Sequence, residues 1–202
     1  MITDCNGIRK RLVCASSHKS MYAYQLTHAQ LHDCKKNAIE VTKARQIYSK
    51  GKGQQWHRGQ FDRPSTSTMI GFKGEIAFYE ILSVYFKTLP MYQITVQKKV
   101  MKHDFEWKTP LGNLHEVKTT VGAAVSEANF VREKAIKSAD LFWFMSVASV
   151  DESTVFLRGW LTQSELIERA TLVKGKGNWK NYRVDTDQLN GLNDFLKLRG
   201  KR

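Results

Sequence analysis

Cysteine is scarce in this 202-residue chain, which holds three: Cys5, Cys14 and Cys34. All lie near the start, and so odd and sparse a set excludes a disulfide framework and fits a reducing compartment. No run of about 18 or more apolar residues exists, which excludes a membrane-spanning helix. The first residues carry Asp4, Arg9, Lys10 and Arg11 without a long apolar stretch, so no secretory signal is expected. Acidic residues are also in short supply, 19 against 32 Lys and Arg, for a net charge of +13. Such an excess favours a polyanionic partner, because each cation that neutralises a phosphate releases counterions. Gly-rich phosphate loops, nucleophile elbows and internal repeats are missing. A cytoplasmic protein with no membrane association is the expectation.

The basic excess is uneven. Residues 1–70 hold twelve basic side chains against four acidic ones. Thr27-His28-Ala29-Gln30 has the form of a capping box. After it Leu31, Cys34, Ala38, Val41 and Ile47 recur at helical spacing to about Tyr48. The stretch from Ser49 to Ser67 mixes glycines, bases and aromatics as a loop would. Lys50, Lys52, Trp56, Arg58 and Arg63, joined by Lys73 at the head of the next helix, are the candidate contacts to phosphates and bases. We therefore expect a basic helical N-terminal extension over 1–68 and a second unit over 69–202.

In that second unit Gly71-Phe72-Lys73-Gly74-Glu75 opens an apolar helix running to about Lys87, and Tyr92 to Val100 alternates as a strand. A hairpin, a helix from Ser126 through Ala139, and a near-continuous apolar strand from Asp140 to Ala148 follow. Val155 to Trp160 reads as the next strand, and Thr162-Gln163-Ser164-Glu165 caps a short helix to about Ala170. This order gives an α/β fold with a mixed central sheet flanked by helices.

The hairpin carries the chemistry. Asp104 lies on its first strand, Pro110-Leu111-Gly112-Asn113 forms the turn, and Glu116-Val117-Lys118 lies on the second. Residues two apart on a strand share a face, so Glu116 and Lys118 point together while Val117 points to the core. Two carboxylates beside a lysine suit a hard divalent cation and an activated water. If Pro110 pairs with Asn113, Asp104 shares its face with Thr119 instead of Glu116. Convergence therefore requires an irregularity between Lys108 and Leu114, or a strand that ends before Asp104. Glu106 is the reserve ligand in a regular register.

Asp104 followed by Glu116-x-Lys118, with Gly74-Glu75 on the preceding helix, resembles the PD-(D/E)XK nuclease superfamily over about Gly71 to Ala170. His103 stands where a proline usually precedes the first acid. The resemblance implies a restriction-endonuclease-like core and Mg²⁺-dependent hydrolysis of DNA, with Mn²⁺ able to stand in. It implies Asp104, Glu116 and the Val117 carbonyl as metal ligands, and Glu75 as an accessory carboxylate. Lys118 would position the attacking water and counter phosphate charge rather than act as a strict base, since neighbouring carboxylates favour its charged form. Small phage or viral members share this pattern, which would place the protein inside the host cell, and double-strand cutting would favour a homodimer. The alternative is a DNA-binding accessory protein that keeps the fold without cutting.

A third reading, zinc held around Cys14, His18, His28, His32 and Cys34, rests on the i, i+4 spacing of His28 and His32. No Cys-x₂₋₄-Cys pair supports it.

Overall fold

The computed structural model describes residues 2–3, 9–10, 22–50, 66–90, 104–122, 128–175 and 179–198, with backbone alone for 2, 3, 9, 10 and 44–50. The elements are β1 (Ile2–Thr3), β2 (Arg9–Lys10), β3 (Tyr22–Gln25), α1 (His28–Lys50), α2 (Thr66–Ser83), β4 (Phe105–Thr109) and β5 (Gly112–Val121). There follow β6 (Ala128–Arg132), a 3₁₀ turn (Glu133–Ser138), β7 (Leu141–Val147), β8 (Thr154–Thr162), α3 (Gln163–Arg169), β9 (Thr171–Lys174) and β10 (Lys180–Asp185). A second 3₁₀ turn (Thr186–Gln188) and α4 (Leu192–Lys197) complete the described chain.

Seven strands form a mixed sheet in the order β1-β2-β3-β8-β7-β5-β4, in which β5 and β7 run parallel and the other neighbours antiparallel. A three-stranded antiparallel sheet, β6-β10-β9, stands apart. The α/β expectation holds at this level. β7 is buried at every position, as its unbroken apolar sequence requires of a central strand.

Alternation along β7 divides the interior in two. Leu141, Trp143, Met145 and Val147 join Phe78, Ile81 and Leu82 of α2, with Trp160 and Phe195, in one cluster. Phe142 and Phe144 face Val131, Ile136, Leu161, Leu166 and Val184 in the other. Helices α1, α2 and α4 thus cover one face, and the small sheet with α3 covers the other. Gly74 marks the crossing of α2 over β5: a Cβ there would come 1.7 Å from the Thr119 hydroxyl oxygen. The glycine is a packing requirement.

Both capping boxes form. Thr162 accepts from the Glu165 N–H at 3.2 Å and the Glu165 carboxylate accepts from the Thr162 N–H at 2.9 Å. Thr27 and Gln30 make the same exchange ahead of α1.

Three expectations require correction. Residues 128–139 of the expected helix form none: Ala128–Arg132 is a strand with Asn129 and Val131 buried and Phe130 and Arg132 exposed, followed by the 3₁₀ turn. Its apolar positions fit either period, and antiparallel pairing with β10 decides for strand. The boundary at 68 runs through one core, because Tyr22, Leu26 and Cys34 pack in the same cluster as Ile70 and Phe78. Tyr22–Gln25 also pairs with β8, so the N-terminal segment belongs to the sheet. Finally, α2 begins at Thr66 and not at Gly71. The strand expected over 92–100 lies outside the described residues, as does the loop over 51–65. Among the described residues no helix is long and apolar enough to cross a membrane.

Candidate active site

The hairpin turns tightly, with Thr109 opposite Gly112, and then slips by one residue between Glu106 and Thr109. Beyond the slip Glu106 faces Leu114 and Phe105 faces His115. Asp104 stands just outside the start of β4. The Asp104 N–H donates to the His115 carbonyl at 3.1 Å. The slip overlaps the expected window from Lys108 to Leu114, and the strand stops short of Asp104. Glu116 and Lys118 share the face of β5 that carries Leu114 and the second cluster, and theirs are the charges that bear on Asp104.

His115 holds the bulge. Its ring is fully buried, with Nε2 2.9 Å from the Trp107 carbonyl and Nδ1 accepting from the Trp143 indole N–H at 3.0 Å. Since Nδ1 accepts, Nε2 carries the proton and donates to Trp107. The carbonyl displaced by the slip thus finds a side-chain donor in place of a ladder partner.

Asp104 Oδ2 accepts from the Val117 N–H at 2.7 Å. The Lys118 ammonium contacts Glu116 Oε1. Burial first, and the neighbouring Glu116 second, push the Asp104 carboxyl up to about 7, against the downward pull of the Val117 N–H and Lys118. Two carboxylates are enclosed where one cation would relieve both. The N–H and C=O of a residue in an extended strand face the same side, so the Val117 carbonyl also leaves β5 toward Asp104. Two carboxylates and a carbonyl are hard oxygen donors, a set that fits Mg²⁺ or Mn²⁺. Among the described residues no three His, Cys, Asp or Glu side chains gather as a metal group. Any such ion would rest on this pair, the backbone and water.

The remaining expected site residues fare differently. Glu106 is exposed, two residues nearer the turn than Asp104. Glu75 rides on α2, which covers the opposite face of β5; its charge bears on Cys34, whereas the charges bearing on Asp104 are Glu116 and Lys118. Lys73 is no phosphate contact. Only 3% exposed, its ammonium donates to the carbonyls of Val150 at 2.6 Å and Glu152 at 2.7 Å, tying α2 to the β7–β8 loop. Burial accordingly lowers its pKa.

Lys52, Trp56, Arg58 and Arg63, with the side chain of Lys50, lie outside the described residues, as do Cys14 and His18. His28 and His32 are exposed on α1 while Cys34 is buried beneath it, its thiol pushed up to about 11 by burial. The three do not converge.

One polar pair escaped the sequence reading. The Arg158 Nε donates to Ser146 Oγ at 2.7 Å, both residues buried. Ser146 alternates with Phe142 and Phe144 and pairs with Thr120, so Arg158 brings a guanidinium to the face of Glu116 and Lys118. An arginine inside the apolar run Val155 to Leu161 was the available signal. Comparison of the chain with protein-family models, with curated proteins and with solved structures finds no match.

Proposed function

We propose that the protein is a metal-dependent endonuclease hydrolysing DNA phosphodiester bonds, with a restriction-endonuclease-like core formed by α2, β4, β5 and β7. The observation that carries this reading is the Asp104 carboxyl held on the Val117 N–H at 2.7 Å, with Glu116 and Lys118 as the charges that bear on it. Asp104 and Glu116, with the Val117 carbonyl, would hold Mg²⁺. When bound, Mg²⁺ supplies Lewis acidity toward the phosphate and a more acidic water. Lys118 orients the attacking water and offsets charge on the phosphate. Its ammonium already lies against Glu116, so it reaches the phosphate without a large rearrangement. Enclosure of the pair strengthens each of these electrostatic contacts relative to bulk water.

The second reading is a DNA-binding accessory that retains the fold without cutting. The Lys118–Glu116 ion pair and the lack of a third acid among the described residues favour it. Nicking of supercoiled DNA separates the two. Cleavage that needs Mg²⁺ or Mn²⁺, stops with chelator, and falls at least about a hundredfold in Asp104→Ala, Glu116→Ala and Lys118→Ala supports the enzyme. Wild-type protein that binds DNA but leaves it intact in every divalent ion supports the accessory role.

A further inference from the structure

The three-stranded sheet has two unlike faces. Val131, Tyr182 and Val184 turn inward to the second cluster. Alternation sends Phe130, Arg132 and Arg183 outward, and Trp179, just before β10, follows the same phase. Phe130 is 46% and Trp179 47% exposed. Phe130 stands opposite Arg183 in the ladder. Lys134 Nζ lies 4.0 Å from the centroid of the Trp179 ring and Arg132 Cζ 5.4 Å from it. Along β10 the two rings are separated by four residues, about 13 Å at the usual strand rise.

The inward residues of this sheet supply its share of the second cluster, to which neither ring belongs. The described strands of this sheet and the 3₁₀ turn after β6 carry six Lys or Arg and two acids, Glu133 and Asp185, the latter paired with Arg183 at 3.2 Å. A second copy of such a face would meet like charge. A lipid surface would take up rings and basic side chains at any spacing, so it leaves the separation of the two rings along one strand without a purpose. Phosphates and bases use both features together.

We infer that the outer face of β6-β10-β9 binds an unpaired nucleic-acid strand, its bases stacking on Trp179 and Phe130 and its phosphates lying along Arg132, Lys134 and Arg183. This surface goes beyond the hydrolytic reading and does not depend on it. Duplex ends, flaps or loops would present such a strand; a closed duplex would not.

The full chain is titrated, in chelator, with labelled oligothymidylate and with the same oligomer annealed to its complement. Trp179→Ala is expected to weaken single-strand binding about tenfold, the scale of one base–aromatic stack, with Trp179→Phe close to wild type. Phe130→Ala weakens it in the same sense, and duplex binding is unchanged in each. Unfolding temperatures check that the exposed substitutions leave the fold intact. Single-strand affinity unchanged in Trp179→Ala and Phe130→Ala overturns the inference, as does an equal loss on single strand and duplex. So does sedimentation showing that these variants instead dissolve a homodimer. Asp104→Ala retains oligothymidylate binding whether or not the protein cleaves, so the two surfaces are tested separately.

Discussion

The buried imidazole of His115 donates to the backbone carbonyl of Trp107, 2.9 Å away, at the place where β4 slips by one residue against β5. Asp104 stands just before that strand, where the Glu116 charge bears on it. A histidine outside the proposed chemistry therefore fixes the strand register next to the pair proposed to carry it.

His115→Phe keeps the volume and removes both hydrogen bonds, leaving the Trp107 carbonyl and the Trp143 indole N–H without their partner. Loss of roughly 2–4 kcal/mol in denaturant unfolding is expected, from two buried groups deprived of that donor and acceptor. Nicking should fall further than the folded fraction accounts for, because the register relaxes; a rate that tracks folded protein alone would assign His115 to stability only.

Asp104→Asn should stabilise the metal-free protein while abolishing cleavage. The carboxylate is enclosed and faces Glu116, so its charge opposes folding when no cation is bound, and a neutral amide of the same shape removes that repulsion. Thermal unfolding near pH 8 in chelator checks the sign: the variant melts higher. Adding Mg²⁺ should raise the wild-type midpoint more than that of the variant.

Lys73→Met tests the structural role of that lysine. The carbonyls of Val150 and Glu152 lose their donor and α2 loses its tie to the β7–β8 loop. A lower unfolding midpoint with unaltered DNA affinity of the folded protein is expected. Weakened DNA binding at unchanged stability would return Lys73 to the interface.

Glu165 gives a pH dependence. Hydrogen bonds from Asn190 and Thr162, with Arg169 nearby, hold its carboxyl below the ordinary value despite burial. A depressed folded pKa binds fewer protons than the unfolded chain, so its stabilisation is complete above about pH 4.5 and is lost as pH falls through the lowered value. Glu165→Gln should flatten the part of the melting profile that falls away below about pH 4.5.

The hairpin was legible because its demand on register could be worked out from parity alone, and Thr162–Glu165 because a capping box is a local device. The apolar run of β7 announced burial on both faces. Three features hid for a common reason. Ala128–Arg132 fits helix or strand equally until β10, about fifty residues on, supplies its partner. Tyr22–Gln25 is too short to show a period and becomes a strand only beside β8. Lys73 looks like any surface lysine until the β7–β8 loop closes over it. Each depends on a contact distant in sequence. Composition and periodicity cannot supply that contact.

Pairing of Tyr22 with Leu157 and Gln25 with Thr154 has a consequence for biogenesis. The amino-terminal strand leaves the ribosome long before the rail it must dock against has been translated. In that interval Tyr22, Ala23 and Leu26 have nowhere to hide, and a nascent chain of this kind is a natural client for a holding chaperone. Severing the chain near 68 would leave the outer margin of β8 bare, a ready template for one molecule to zip onto the next.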